Sequence, residues 1–417
     1  MKKLAINGGY PLNGSIKISG AKNAALPMMT ASILSDHNIV LNGIPDLADV
    51  KTMITLLESM GIETNKDHKD SLTLNASGID SRFASYELVK TMRASIMVLG
   101  PLLAKYGEAK VSLPGGCAIG ARPVDLHIQG LEKLGARIEI KDGYLLASAD
   151  RLIGSSYCFP KKSVTGTANI LMAATLAEGE TKIVNSACEP EIVQLGELLN
   201  AMGARIEGLG EDCIIIQGVE NLVGAEIEII PDRIEAITMI IAGIITQGEI
   251  EIENINPSHI EEPIELIRQC GAILEISDQS LFVKGSDEIF PISFETEPYP
   301  GIPTDIQAQL MVLNTIAKGD SNITETIFEN RFMHVLELKR MGANIGIDGN
   351  TAKIRGVTSL NSAPVMATDL RASAALILAG LIAEGETIID RIYHLDRGYE
   401  SVEEKLSNVG AKVRRID

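Results

Sequence analysis

The stretch Leu198-Leu199-Asn200-Ala201-Met202-Gly203-Ala204-Arg205-Ile206-Glu207 joins an apolar helix end to a glycine and then to an alternating strand, and its pattern recurs along the chain. The other copies are LLESMGIE around Gly61, LEKLGARIEI around Gly135, LIRQCGAILEI around Gly271, LELKRMGANIGI around Gly342 and LSNVGAKVRRI around Gly410. Successive glycines stand 68 to 74 residues apart, a step well above the period of solenoid repeats. A second pattern precedes five of the six copies: an apolar helix, a Gly turn and a strand. It is read in LLAKYGEAKVSL, ATLAEGETKIV, IITQGEIEIENI, TIAKGDSNIT and LIAEGETIID. Gly107, Gly179, Gly248, Gly319 and Gly385 are therefore expected at helix C-caps in the left-handed conformation. The repeating unit reads helix, Gly, strand, loop, helix, Met-Gly-Ala, strand, turn, strand, which packs helices against a sheet. Six units in a 417-residue chain, too long for one core, divide into two α/β domains of three units each.

Composition narrows the class further. The apolar share of 45% is that of a folded globular protein, and with 4% aromatics and no Trp the core must be aliphatic. A net charge of −18 argues against sequence-independent binding to nucleic acid or an anionic membrane. The N-terminus lacks the long apolar run of a secretory signal. Its most apolar segments, Ile237–Ile245 and Leu376–Ala383, are too short to span a bilayer. Five scattered cysteines (117, 158, 188, 213 and 270) without CxxC spacing make neither a disulfide framework nor a zinc site, and six His without HxxxH spacing suggest no metal. A cytoplasmic chain with free thiols is expected.

The loops between the repeated patterns differ from unit to unit, and chemistry is sought there. Leu113-Pro114-Gly115-Gly116-Cys117-Ala118-Ile119-Gly120-Ala121-Arg122-Pro123 reads as a flap hinged at both ends, with Cys117 at its tip and Arg122 near enough to lower the thiol pKa. Arg93 and Arg371 share the context Arg-Ala-Ser before an apolar helix, and Arg397 stands in HLDRGYE. An Arg at a helix start adds its charge to backbone N–H groups that attract anions; the plain alternative is pairing with Asp369 or Asp396. Lys22 and Asn23, in SGAKNAALP, sit at another helix entrance. Asp305, in PYPGIPTDIQAQL, reads on its own as an N-cap, as do Asp232 and Asp369.

Taken together, the segments GGYPLNGSIKISGAKNAALP, LPGGCAIGARPVDLHI, ATLAEGETKIVNSACEPEIV, PYPGIPTDIQAQ, ETIFENRFMHVLEL, ATDLRASAAL and HLDRGYE resemble the enolpyruvyl transferase (EPSP synthase) family over essentially the whole chain. The Cys117 flap sets this sequence with the branch that acts on UDP-N-acetylglucosamine rather than shikimate 3-phosphate. The resemblance implies two inside-out α/β barrel domains joined by a double crossover, residues 22–229 forming one and residues 1–21 with 230–417 the other. It also implies that closure of the cleft between them assembles the site.

The implied reaction moves the enolpyruvyl group of phosphoenolpyruvate to the 3′-hydroxyl of UDP-N-acetylglucosamine and releases phosphate, at the entry to peptidoglycan synthesis. By the family motif Cys117 is the general acid and fosfomycin target, and Asp305 the general base. Lys22, Arg93, Arg122 and Arg397 hold the phosphate of phosphoenolpyruvate, and Arg371 with Arg397 its carboxylate. Asn23 contacts substrate and intermediate. The nucleotide sugar is received by Arg122, Pro123, Val124, Asp125, Leu126, the Ser163-Val164-Thr165-Gly166 turn, Ile327, and either Lys161 or Lys162. No cofactor is implied, and the oligomeric state stays open. Departures from family usage are TANI at 167–170, EAIT at 235–238 and VLEL at 335–338. They leave room for a catalytically weak duplicate that binds UDP-N-acetylglucosamine as a regulatory protein.

Overall fold

The computed structural model describes residues 2–68, 70–90, 92–113 and 124–417. The chain divides into two compact units, one of residues 20–230 and one of residues 2–19 with 231–417, leaving aside the undescribed segment 114–123. The change of unit falls at two short extended stretches. Ala21 N–H donates to Ile230 O at 2.7 Å on one side, and Asp232 N–H to Ser19 O at 2.8 Å on the other.

Each unit is built the same way. Among the described residues six four-stranded sheets share one strand order: a short edge strand lies parallel to the first strand of a copy, whose third and second strands follow antiparallel. In the 20–230 unit the edge strands Phe83–Ala84 and Ser156–Cys158 pair with Glu108–Ser112 and Glu180–Val184. The third edge, Ala225–Glu228, returns to the first copy at Ile39–Asn42 and closes the ring. In the other unit Asn13–Lys17 closes the ring on Glu249–Glu253. The sixth sheet takes its inner strand, Lys3–Asn7, from the opposite end of the chain, pairing it with Glu386–Asp390 and Lys412–Ile416. The repeat is thus a cycle whose register is set by alternating burial, as in the pattern of Glu180–Val184.

Among the described residues each unit has three central helices. Those at the centre of the 20–230 unit are Lys22–Ala31, Leu99–Tyr106 (entered through a 3-10 turn, Arg93–Val98) and Val164–Ala174. Those of the other unit are Arg233–Ile245, Gln307–Thr315 and Leu370–Ile382. Every residue of Arg233–Ile245 and of Gln307–Thr315 is buried. Burying each Ile of the first is worth roughly 2 kcal/mol. The sheets surround these helices, which makes each unit an inside-out α/β barrel with its own aliphatic core. No described helix is long and apolar enough to cross a membrane.

The Met-Gly-Ala glycines all take positive φ, from 91 to 104° at Gly271, Gly342, Gly61, Gly135, Gly203 and Gly410. Each ends a helix with its N–H returned three residues back, as Gly203 to Asn200 O at 2.9 Å, while Ala204 reaches Leu199 O at 2.9 Å. That is the paired bonding of a Schellman stop. The second glycine series departs from its expectation. Gly107 is a left-handed C-cap (φ 72°), whereas Gly179, Gly319 and Gly385 have positive φ beyond the helix, just before the next strand. Gly248 is not left-handed at all: Gln247 takes that conformation (φ 54°). Glycine is needed at 248 because a Cβ there would stand 2.2 Å from Leu12 O.

Candidate active site

Each central helix begins with a polar group, and these beginnings collect the residues singled out in the sequence. In the 20–230 unit Lys22 opens its helix, buried, with Nζ 3.1 Å from Asp49 Oδ2. Asp49 is itself buried, in the first turn of the helix Ala48–Glu58. The ion pair holds the lysine in a fixed direction. Asn23 follows it, half-buried. Arg93 opens the 3-10 turn that leads into Leu99–Tyr106. Ser163 is the N-cap of Val164–Ala174, its Oγ accepting from Gly166 N–H at 3.1 Å. Gly166 has no room for more: a Cβ would meet Ser163 Oγ at 2.8 Å and Phe159 Cε1 at 2.9 Å.

Val124 stands ahead of the helix Asp125–Lys133, with Asp125 exposed and Leu126 half-buried. Lys162 is engaged by Ser186 O at 2.7 Å and Asp212 Oδ1 at 2.5 Å, whereas Lys161 is exposed. Cys117, Arg122 and Pro123 lie outside the described residues.

In the other unit Asp305 is not an N-cap. It sits in the 3-10 turn Thr304–Ile306, and both of its oxygens accept from arginines: Oδ1 from Arg331 at 2.8 Å and Oδ2 from Arg371 at 2.7 Å. Both guanidinium groups are buried, while the Asp305 side chain keeps 28% exposure. A carboxylate with this much exposure can still meet a ligand hydroxyl. Arg371 therefore pairs with Asp305 and not with Asp369, whose Oδ1 caps the helix through the N–H groups of Arg371 and Ala372. Burial is the largest single influence and pulls the Arg371 pKa down, but the charge and hydrogen bond of Asp305, with Tyr399 and Asp232, together outweigh it, so the guanidinium ends above its ordinary range. Arg397 ends the 3-10 turn Ile392–Arg397, half-buried; Asp396 beside it is taken by Arg415. Ile327 is half-buried and held by its backbone N–H on Glu325 Oε1 at 2.9 Å.

Four groups at these ends escape a reading by motif. Arg331 lies within ETIFENRFMHVLEL, and only its burial against Asp305 marks it. Tyr399, fully buried, joins Thr238 Oγ1 at 2.9 Å, and Gln309 Nε2 donates to it at 3.3 Å; Arg371 stands 5.9 Å over its ring. Glu325, buried, accepts four bonds: Oε1 from Thr296 Oγ1 and from the N–H groups of Ile327 and Phe328, Oε2 from Thr304 Oγ1. His127 is buried with a pKa lowered to about 4, by burial first and then by the Arg93 charge.

The segments TANI, EAIT and VLEL fall in different surroundings. Ala168 and Ile237 are buried inside central helices, whereas Leu336 is 73% exposed.

Comparison with known proteins gives these residues their frame. The family description of EPSP synthase (3-phosphoshikimate 1-carboxyvinyltransferase) matches residues 6–406. A UDP-N-acetylglucosamine 1-carboxyvinyltransferase of Coxiella burnetii is 54% identical over all of this chain and 96% of its own length. One from Hydrogenovibrio crunogenus is 51% identical with both chains fully covered. Among solved structures, the enolpyruvyl transferase NikO of Streptomyces tendae superposes with a TM-score of 0.91 at 23% identity, covering 99% of this chain and 98% of its own. An EPSP synthase of Acinetobacter baumannii gives 0.78 at 18% identity, with both chains fully covered. With a family match across nearly its whole length, the chain belongs to the EPSP synthase (3-phosphoshikimate 1-carboxyvinyltransferase) family.

Proposed function

We infer that this protein transfers the enolpyruvyl group of phosphoenolpyruvate to the 3′-hydroxyl of UDP-N-acetylglucosamine and releases phosphate. The observation that carries this reading is full-length identity of 51 and 54% with relatives named for that reaction.

In the proposed course, the sugar hydroxyl gives its proton to Asp305 as its oxygen bonds to C2 of phosphoenolpyruvate, and Cys117 delivers a proton to C3. The tetrahedral ketal then loses phosphate from C2 and returns a proton from C3 to the Cys117 thiolate, which restores the double bond, and Asp305 releases its proton to solvent. A thiol serves as the acid because it stays protonated near neutral pH, where a carboxyl group is ionised. Asp305 suits the base role because two buried arginines fix its orientation while part of the carboxylate stays exposed. Lys22, Arg93, Arg122 and Arg397 are assigned to the phosphate, Arg371 with Arg397 to the carboxylate, and Asn23 to substrate and intermediate. Such cations lower the energy of charge that develops as the ketal forms. Val124, Asp125, Leu126, Ser163, Val164, Gly166 and Ile327 are assigned to the nucleotide sugar, with Arg122 and Pro123. The chemistry needs an acid, a base and cations, and no cofactor is proposed. A cytoplasmic enzyme without nucleic-acid or membrane partners belongs to the same reading.

The test is phosphate release from phosphoenolpyruvate with UDP-N-acetylglucosamine or shikimate 3-phosphate as acceptor. Release is expected only with the nucleotide sugar, and greatly reduced by Cys117→Ser and by Asp305→Ala. Equal release with shikimate 3-phosphate overturns the acceptor, and full activity in both variants overturns the acid and base assignments.

A further inference from the structure

Between the starts of two central helices in the 20–230 unit lies a polar chain whose hydrogen-bond directions are determined by the backbone. Asn169, fully buried in the helix Val164–Ala174, takes Gly100 N–H on Oδ1 at 2.6 Å and gives Nδ2 to Ile96 O at 3.1 Å. A backbone N–H can only donate and a backbone carbonyl can only accept, so the orientation of this amide is not a free choice. Gly100 makes the approach possible, since a Cβ there would stand 2.3 Å from Asn169 O.

The same Nδ2 lies 3.0 Å from His127 Nδ1. Nδ2 is a donor, so Nδ1 must accept and carries no proton. The ring is 4% exposed, and burial with the nearby Arg93 charge keeps it neutral. Its one proton is then on Nε2, which lies 3.3 Å from Thr165 Oγ1. The Thr165 oxygen accepts a hydrogen bond from Nε2–H, and its own hydroxyl hydrogen is left to donate elsewhere. Thr165 is exposed, in the first turn of its helix, where the helix itself leaves N–H groups unsatisfied.

We propose that His127 is a positioning residue, held by Asn169 as the Nε2–H tautomer, which turns the exposed Thr165 hydroxyl into a hydrogen-bond donor for an acceptor oxygen of the nucleotide sugar. This rests on the proposed function for the identity of the ligand, but the tautomer does not. The chain explains why a buried histidine and a buried asparagine stand behind an otherwise ordinary helix start. It also gives the turn a polarity: it takes an oxygen that accepts, such as a phosphoryl or carbonyl oxygen, and disfavours a group that only donates.

Two measurements test the two parts separately. Long-range 15N–1H correlation spectra of the histidine-labelled protein near pH 7 should show His127 with an unprotonated Nδ1 and a protonated Nε2. The reverse pattern, or a doubly protonated ring, overturns the relay whatever the protein catalyses. Calorimetric titration with UDP-N-acetylglucosamine should show Thr165→Val weakening binding roughly tenfold, the worth of one neutral hydrogen bond, with Thr165→Ser restoring it. Asn169→Asp, which offers acceptors where Nδ2 donates, should reverse the tautomer and weaken binding as Thr165→Val does. Unchanged affinity in Thr165→Val overturns the assigned role of the hydroxyl. Absence of nucleotide-sugar binding in the unmodified protein, with the expected tautomer present, overturns the functional reading and leaves the relay standing.

Discussion

Glu325 ties two parts of the candidate site together, and its removal should be felt in both. Oε1 receives Thr296 Oγ1 at 3.0 Å, Ile327 N–H at 2.9 Å and Phe328 N–H at 3.1 Å, and Oε2 receives Thr304 Oγ1 at 2.9 Å. Thr304 immediately precedes Asp305, and Ile327 is assigned to the sugar nucleotide. Glu325→Ala strands two backbone N–H groups and two hydroxyls. The hydroxyls can turn elsewhere, but the N–H groups cannot, and each costs about 1–3 kcal/mol when left unsatisfied. A total loss of about 2–6 kcal/mol follows. Glu325→Gln behaves differently. Its carbonyl oxygen can keep the three donors at the Oε1 position, while its NH2 group faces Thr304, whose hydroxyl can rotate to accept. Only the charge assistance is lost, about 1 kcal/mol per bond. Chemical denaturation, with hydrogen exchange read on peptides covering residues 296–306 and 325–328, measures both. Alanine should lower the unfolding midpoint, speed exchange in both peptides and raise KM for UDP-N-acetylglucosamine, with glutamine intermediate. Unchanged exchange at 304–306 in Glu325→Ala would show that Glu325 does not hold the Asp305 turn.

Further outcomes follow from other buried polar groups. His127 and His334 both have folded pKa values lowered to about 4, burial being the largest cause. The unfolded chain therefore takes up protons below about pH 6.5 that the native state refuses. Stability from these groups is complete above that pH and falls as pH drops towards 4, by about 3 kcal/mol for each histidine; unfolding midpoints between pH 7.5 and 4.5 should flatten when either is replaced by Gln. The hydroxyls of Thr181, Ser321 and Thr387 are buried without a partner, at one equivalent position of three repeats where the other copies carry Ile39, Ala109 and Ile250. Thr181→Val, Ser321→Ala and Thr387→Val should each stabilise the protein by about 1 kcal/mol, read as a higher denaturation midpoint; a lower one in all three would contradict the reading. Arg331→Met removes one of the two arginines at Asp305 and should lower kcat roughly 10- to 100-fold through the loss of a charge-assisted bond, with KM for phosphoenolpyruvate little changed in steady-state assays.

The repeat was open to reading because its marker is a backbone necessity. A glycine at positive φ after a helix end cannot be replaced without strain, so Gly61, Gly135, Gly203, Gly271, Gly342 and Gly410 stand out by spacing alone. Gly248 shows the limit of the same logic. Its necessity comes from the nearby Leu12 backbone, some 236 positions away in sequence, and no local pattern reports it. The site shows a similar divide. Lys22, Arg93 and Arg371 stand out because a cation at the start of an apolar helix is conspicuous. Asp305 looked like its neighbours Asp232 and Asp369, which do cap helices, and only the two buried arginines distinguish it. Asp49, His127, Asn169, Glu325 and Arg331 act by fixing other groups, and a partner more than twenty residues away leaves no trace in local composition. Net charge is uninformative for the same reason: a chain at −18 can still bury the cations Lys22, Arg331 and Arg371, while few of its described acidic residues are buried.

The most direct test of the central claim is the identity of the product. The purified protein, incubated with phosphoenolpyruvate and UDP-N-acetylglucosamine, should yield a nucleotide sugar heavier by one enolpyruvyl group, with NMR placing a vinyl ether on the 3′-oxygen and inorganic phosphate formed in equal amount. Asp305→Asn should form it far more slowly at unchanged fold. Recovery of unmodified UDP-N-acetylglucosamine under saturating phosphoenolpyruvate, from protein shown by calorimetry to bind it, would contradict the account and leave a nucleotide-sugar-binding protein in its place.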